Sequence, residues 1–246
     1  DEMDASDAPA SATTAQSQEL LLEKYGLPAS ALQVYTARGV KRLQPWQARC
    51  LALPGVLYGT RSLVVQAPTS GGKSLVAEIL LYRQVIASGK LGILALPFVS
   101  LCEEKLALIE ELLDGTNRVA KPYFGSKGDK QPPGAEVGIA VCTFEKANSL
   151  VNLLIEEQKV EQIGMVVVDE LHMINDKERG YVLELLLTKL CYVSCRYGQE
   201  RFTGGHSEKG RDWRHPQAPF RLNTNDYTSP SQLFIPIIGM SATLPN

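Results

Sequence analysis

The chain has 246 residues, 44% of them hydrophobic and 21% charged, which excludes disorder throughout and supplies enough apolar side chain for a sizeable core. Its formal net charge of -2 excludes a strongly basic arm, so any grip on nucleic acid must come from local Lys and Arg or from backbone groups. No apolar run approaches the roughly 18 residues that a membrane-spanning helix needs, the longest lying around Leu91 to Leu101 and Ile163 to Val168, and no membrane partner is expected.

Residues 1–19 are acidic and rich in Ala, Ser and Thr. They lack the basic stretch and apolar core of a secretory signal and read as a disordered lead-in. Because it opens on Asp1 and stops at LPN, the chain reads as a piece of something longer. From Leu20 apolar residues recur at helical spacing, with breaks at Pro28 and Gly39, predicting a helical preface over residues 20–61 that includes a helix from Pro45 to Leu57.

From Ser62 the pattern changes. The runs SLVVQ, LGILAL, RVAKPYF, EVGIAV and GMVVVD are strand-like and bounded by turn formers. Between them Leu75, Ile79, Tyr82 and Ile86, or Leu183, Leu187 and Leu190, recur at helical spacing and predict one buried stripe per helix. The alternation predicts an α/β domain over 62–246, a mostly parallel sheet with helices on both faces. Arg196 to Gln232 has no apolar period and reads as a mobile insertion. Order resumes in LFIPIIGM, where Pro236 must sit at an edge, at a bulge or where its missing N–H is tolerated. The cysteines, Cys50, Cys102, Cys142, Cys191 and Cys195, read as reduced core residues of an intracellular protein, with no companions that would make a zinc site.

Three constellations carry chemistry. APTSGGKS, Ala67 to Ser74, lies between the SLVVQ strand and the LVAEILLY helix pattern. A strand, a Gly-containing loop and a helix start let backbone N–H groups converge on phosphate oxygens, with Lys73 reaching the terminal phosphates and Ser74 offering a hydroxyl to Mg²⁺. Ala67, Pro68, Thr69, Ser70, Gly71 and Gly72 complete the cradle, Ala67 standing where the pattern has its first glycine. A plain strand-to-helix turn is the alternative. DELH, Asp169 to His172, ends the apolar run MVVV, which places Asp169 to hold Mg²⁺ and Glu170 to orient and deprotonate a water. The competing reading is that both acids cap the next helix. GMSATLPN supplies Ser241 and Thr243, small hydroxyls able to link loops or simply to form a polar turn.

The order APTSGGKS, DELH, SAT resembles the first motor domain of the superfamily-2 DExH helicases. The runs LVVQAPTSGGKSLVAEILL, ILALPFVSL, IAVCTFEKANSLVN, GMVVVDELHM, RGYVLELLLTKLCY and GMSATLPN are similar to helicase-like domains of the DNA polymerase theta type, over Leu43 to Ser194 and Leu233 to Asn246. That resemblance implies a RecA-like P-loop fold that binds ATP and Mg²⁺, with Gln47 of QPWQ on the adenine edge. Without it, Gln47 is an exposed polar helix residue. It also implies a path for single-stranded or partly duplex DNA past Pro97, Ser100, Gly125, Ser126, Thr143 and Glu145. Hydroxyls and backbone amides there can hold phosphates without reading bases. His172 would couple the hydrolysis site to Ser241 and Thr243, though a lone histidine can also be a packing residue. Gly71 and Ser74 stand where close relatives more often have Ala and Thr.

The function implied is that of a nuclear, DNA-dependent ATPase and helicase in double-strand break repair. Its transition-state arginines would come from a second RecA-like domain of the same full-length chain, so residues 1–246 alone are expected to show negligible turnover. A stand-alone superfamily-2 repair or RNA helicase, or a nucleotide-binding module without hydrolysis, are the alternatives.

Overall fold

The computed structural model describes residues 20–68, 71–128, 131–200 and 234–242, the last six residues of 131–200 by backbone alone. Six strands form one sheet: β1 (Leu63–Gln66), β2 (Leu91–Leu96), β3 (Val119–Tyr123), β4 (Val137–Thr143), β5 (Ile163–Val168) and β6 (Ile237–Ser241). Their spatial order is β1-β6-β5-β2-β4-β3, and every pairing is parallel.

Both faces of the sheet are covered. On one lie α3 (Lys73–Ser88) and α4 (Val99–Leu113), overlaid by the preface helices α1 (Ala29–Ala37) and α2 (Pro45–Leu51); on the other lie α5 (Phe144–Glu156) and α6 (Gly180–Glu200). Period-two alternation explains the division: Leu94, Leu96, Met165 and Val167 join the first core, while Ile93, Ala95, Val166 and Val168 join the second. Strands covered on both faces need no polar side, which is why LGILAL and IGMVVV are continuous apolar runs.

The prolines obey the ladder. Pro122 lies in β3, an edge strand. Pro236 precedes β6, so its missing N–H falls before the ladder starts, while its carbonyl accepts the Val166 N–H at 3.0 Å.

Three local readings need correction. The helix at Pro45 stops at Leu51 instead of Leu57. Ile86 is 42% exposed, so the α3 stripe ends before it. The rest of α3 is buried nearly all round, because the preface covers the side that would otherwise face solvent. Helix α6 runs on to Glu200, five residues into the stretch read as an insertion; residues 201–232 of that stretch and the lead-in 1–19 lie outside the described residues. Gln and Glu there are good helix formers that extend a nucleated helix without any apolar period.

Candidate active site

The C-terminal ends of β1, β6 and β5 are neighbours, which brings the phosphate loop, the SAT segment and the DELH turn together at one edge. The Ala67 N–H donates to the Ser241 carbonyl at 3.3 Å, tying loop to strand. Gly72 caps α3 in the left-handed region, with φ 76°. A Cβ there would lie 2.7 Å from Gln47 Nε2, so only glycine suits both the conformation and the contact. Lys73 is buried at 6% exposure, and its ammonium donates to the carbonyls of Ala67 (2.8 Å) and Pro68 (3.0 Å). A buried ammonium requires such acceptors. Here they belong to the loop itself, so the charge is poised over the cradle. Ser74 follows in the first turn, while Thr69 and Ser70 lie outside the described residues.

Asp169 is anchored by its N–H to the Ala95 carbonyl of β2 at 3.0 Å, and its Oδ1 accepts the Glu170 N–H at 2.9 Å. Burial pushes its carboxyl above the ordinary range and the Glu170 charge adds to this, against the Glu170 N–H, Lys105 and Lys73, which pull it down. Glu170 occupies the left-handed region at φ 51° and ψ 48°, a conformation that costs a non-glycine residue about 1–2 kcal/mol. Its Oε2 is buried without a hydrogen bond, 3.3 Å from His172 Nδ1. The same Nδ1 lies 3.5 Å from Ser241 Oγ, whose residue is fully buried. Glu170, His172 and Ser241 thus form a line across two strand ends. Thr243 lies outside the described residues. The N-cap residue Glu170 makes no side-chain cap to the short 3-10 turn Leu171–Asn175, which removes the capping alternative for Glu170, while Asp169 Oδ1 does accept a backbone N–H at the start of the turn.

Gln47 is buried at 3% exposure, which removes the reading of it as an exposed polar residue. Its Oε1 accepts the Gln44 N–H at 2.7 Å and its Nε2 donates to the Gly72 carbonyl at 2.8 Å, linking the preface to the phosphate loop. One turn past Ser74, Glu78 points into the core and pairs with Lys105 of α4 at 2.7 Å, with the Tyr35 hydroxyl 3.5 Å from its other oxygen. Ser74, Glu78, Lys105 and Asp169 are among the residues that line a water-sized cavity of about 10 Å³. Sequence reasoning missed this pair. The available signal was a Glu and a Lys each set within the apolar stripe of its helix.

The other half of the sheet edge carries the residues assigned to a nucleic-acid path. Pro97 follows β2 and is buried, Ser100 is exposed on the first turn of α4, and Gly125 (φ 57°) and Ser126 are exposed beyond β3. Thr143 ends β4 at 8% exposure, and the half-exposed Glu145 follows in α5. The strand order therefore gives β1, β6 and β5 to one group of residues and β2, β4 and β3 to the other.

The cradle suits a phosphate chain and a divalent cation: two glycines without a Cβ, a buried ammonium, a hydroxyl and two carboxylates. This fold and these motifs define a helicase-type motor domain, and a family model for DEAD/DEAH box helicases matches residues 45–246. The chain belongs to that family and comprises its first RecA-like domain. It is 43% identical to mouse (Mus musculus) DNA polymerase theta over 94% of this chain and 8% of that protein. It is 38% identical to the human (Homo sapiens) Helicase POLQ-like over 69% of this chain and 16% of that protein. The chain thus spans a small part of these relatives. Among solved structures, S. cerevisiae Dbp5 bound to RNA and ADP BeF3 matches with a TM-score of 0.58 at 16% identity, covering 92% of this chain and 47% of that one. The DUF1998 helicase MrfA bound to DNA and AMPPNP matches at 0.57 and 17%, covering 89% and 27%. At those identities the likeness is one of fold.

Proposed function

We propose that this domain is the ATP-hydrolysing first half of a DNA-dependent helicase motor of the polymerase theta type, acting in nuclear repair of double-strand breaks. The observation that carries the proposal is the buried Lys73 beyond β1 at the same sheet edge as Asp169 and Glu170 beyond β5, with the buried Glu170 Oε2 3.3 Å from His172 Nδ1. DNA is favoured over RNA because the relatives are named a DNA polymerase and its helicase kin. The rest of the motor, a second RecA-like domain with the arginines facing the terminal phosphate, lies in this reading elsewhere in the same full-length chain.

Lys73 exchanges its loop carbonyls for the terminal phosphates of ATP, and the loop amides hold the remaining oxygens. Ser74 and Asp169 would hold Mg²⁺, which neutralises charge developing on the transferred group. Glu170 orients the attacking water and takes its proton at Oε2. His172 Nδ1 stands between that oxygen and Ser241 Oγ and so reports its state to β6. Gln47 faces the adenine while its amide keeps Gly72 in place. Pro97, Ser100, Gly125, Ser126, Thr143 and Glu145 line the single strand, contacting backbone and not bases.

Turnover by the full-length protein with and without single-stranded DNA tests this. Lys73→Ala should lose nucleotide binding or turnover, and Glu170→Gln should bind Mg-ATP but not hydrolyse it. Turnover by Glu170→Gln at the parent rate, or a parent that binds ATP without any hydrolysis, would refute the assignment.

A further inference from the structure

Between the DELH turn and α6 stands Arg179, whose backbone is tied to the catalytic acid by a chain of hydrogen bonds of equal length. The Met173 N–H donates to the Glu170 carbonyl, Asp176 N–H to Met173 and Gly180 N–H to Asp176, each at 2.9 Å. Asp176 Oδ1 also accepts the N–H groups of Glu178 (2.9 Å) and Arg179 (2.8 Å). Gly180 lets α6 start hard against this turn, because any Cβ there would run into the Ile174 carbonyl. Arg179 is thus linked to Glu170 through a chain of backbone hydrogen bonds.

Its guanidinium reaches the other half of the sheet edge. Nη1 donates to the Pro97 carbonyl at the end of β2. Its guanidinium carbon lies over the Phe98 ring, 5.2 Å from the centroid, and Nε lies 3.6 Å from Glu145 Oε1 beyond β4. One side chain thus joins the acid-bearing turn to two segments of the nucleic-acid path. A planar fork with several fixed donors can make a carbonyl bond, a ring contact and a carboxylate contact together, which a lysine ammonium on its flexible stem does not reproduce. The charges are half exposed, and the ion pair alone adds little to stability.

We propose that Arg179 is a positioning residue that holds the Pro97–Ser100 turn and the start of α5 in register with Glu170, so that a strand bound along the path changes the hydrolysis rate. This rests on the proposed DNA-stimulated activity. In the full-length protein, Arg179→Ala and Arg179→Lys should keep DNA-independent turnover and the KM for ATP within about twofold of parent. The stimulation of turnover by saturating oligodeoxythymidine should fall roughly tenfold in both, the middle of the range for mutations that interrupt coupling. Thermal unfolding is measured alongside. Full stimulation in both variants, or full rescue by Arg179→Lys, overturns the proposal, as does a parallel fall of basal and stimulated rates with Tm, which would make Arg179 mere scaffolding. A parent enzyme without DNA stimulation overturns the functional reading, and this inference with it; a stimulated parent with unaltered variants overturns the inference alone.

Discussion

Removing Lys105 should destabilise the domain far more than removing both members of its pair. Lys105 and Glu78 meet at 2.7 Å with side chains 17% and 9% exposed, so little water screens them. In Lys105→Met the Glu78 carboxylate keeps only the Tyr35 hydroxyl at 3.5 Å, an almost uncompensated charge in the core between α3, α4 and α1. Breaking a buried pair in this way costs about 3–5 kcal/mol, whereas replacing both partners by apolar residues of similar size is often neutral or stabilising by about 1–4 kcal/mol. At roughly 2–4 °C per kcal/mol for a domain of this size, the single variant should lose about 6–20 °C in Tm, and Lys105→Met with Glu78→Leu should recover most of it. Thermal and urea unfolding of parent, both singles and the double give the cycle directly. Single variants within about 0.5 kcal/mol of parent, or strictly additive effects, would show that the pair is solvent-screened and refute the reasoning.

Gly72→Ala combines left-handed strain with a Cβ 2.7 Å from Gln47 Nε2. It should cost about 1–2 kcal/mol and weaken binding of a fluorescent ATP analogue severalfold; unchanged affinity would separate the loop conformation from nucleotide capture. Asp169 carries a raised native pKa, so the folded state holds its proton more tightly than the unfolded chain. Stability then falls as pH rises from the ordinary carboxylate range through the raised value, and the ionised acid is a standing cost at neutral pH. Asp169→Asn should therefore melt above the parent at pH 7, with the advantage fading below about pH 4. An advantage independent of pH, or a lower Tm at neutral pH, would contradict it.

Period and composition made the sheet legible because its strands are covered on both faces. LGILAL and IGMVVV read as interior strands, whereas the edge position of Pro122 came only with the strand order. The loop and the acids were legible because their residue types follow strand ends at short spacing. Gln47 was not legible from composition, since its burial depends on Gly72, 25 residues away. Glu78, Lys105 and Arg179 were missed because partners 27 to 82 residues distant give them their surroundings, and one-dimensional patterning cannot show such pairing. The spatial order of the strands, which parts the edge into two halves, is likewise a property of topology alone.

That partition is the central claim, and hydrogen exchange in the Glu170→Gln protein, which is expected to hold Mg-ATP without consuming it, tests it most directly. Mg-ATP should slow exchange in peptides covering residues 66–74 and 169–173, and oligodeoxythymidine should slow it around 97–101, 124–126 and 143–146. Protection of the same segments by both ligands, or DNA protection at the opposite sheet edge around Gly89 and Val137, would contradict the account.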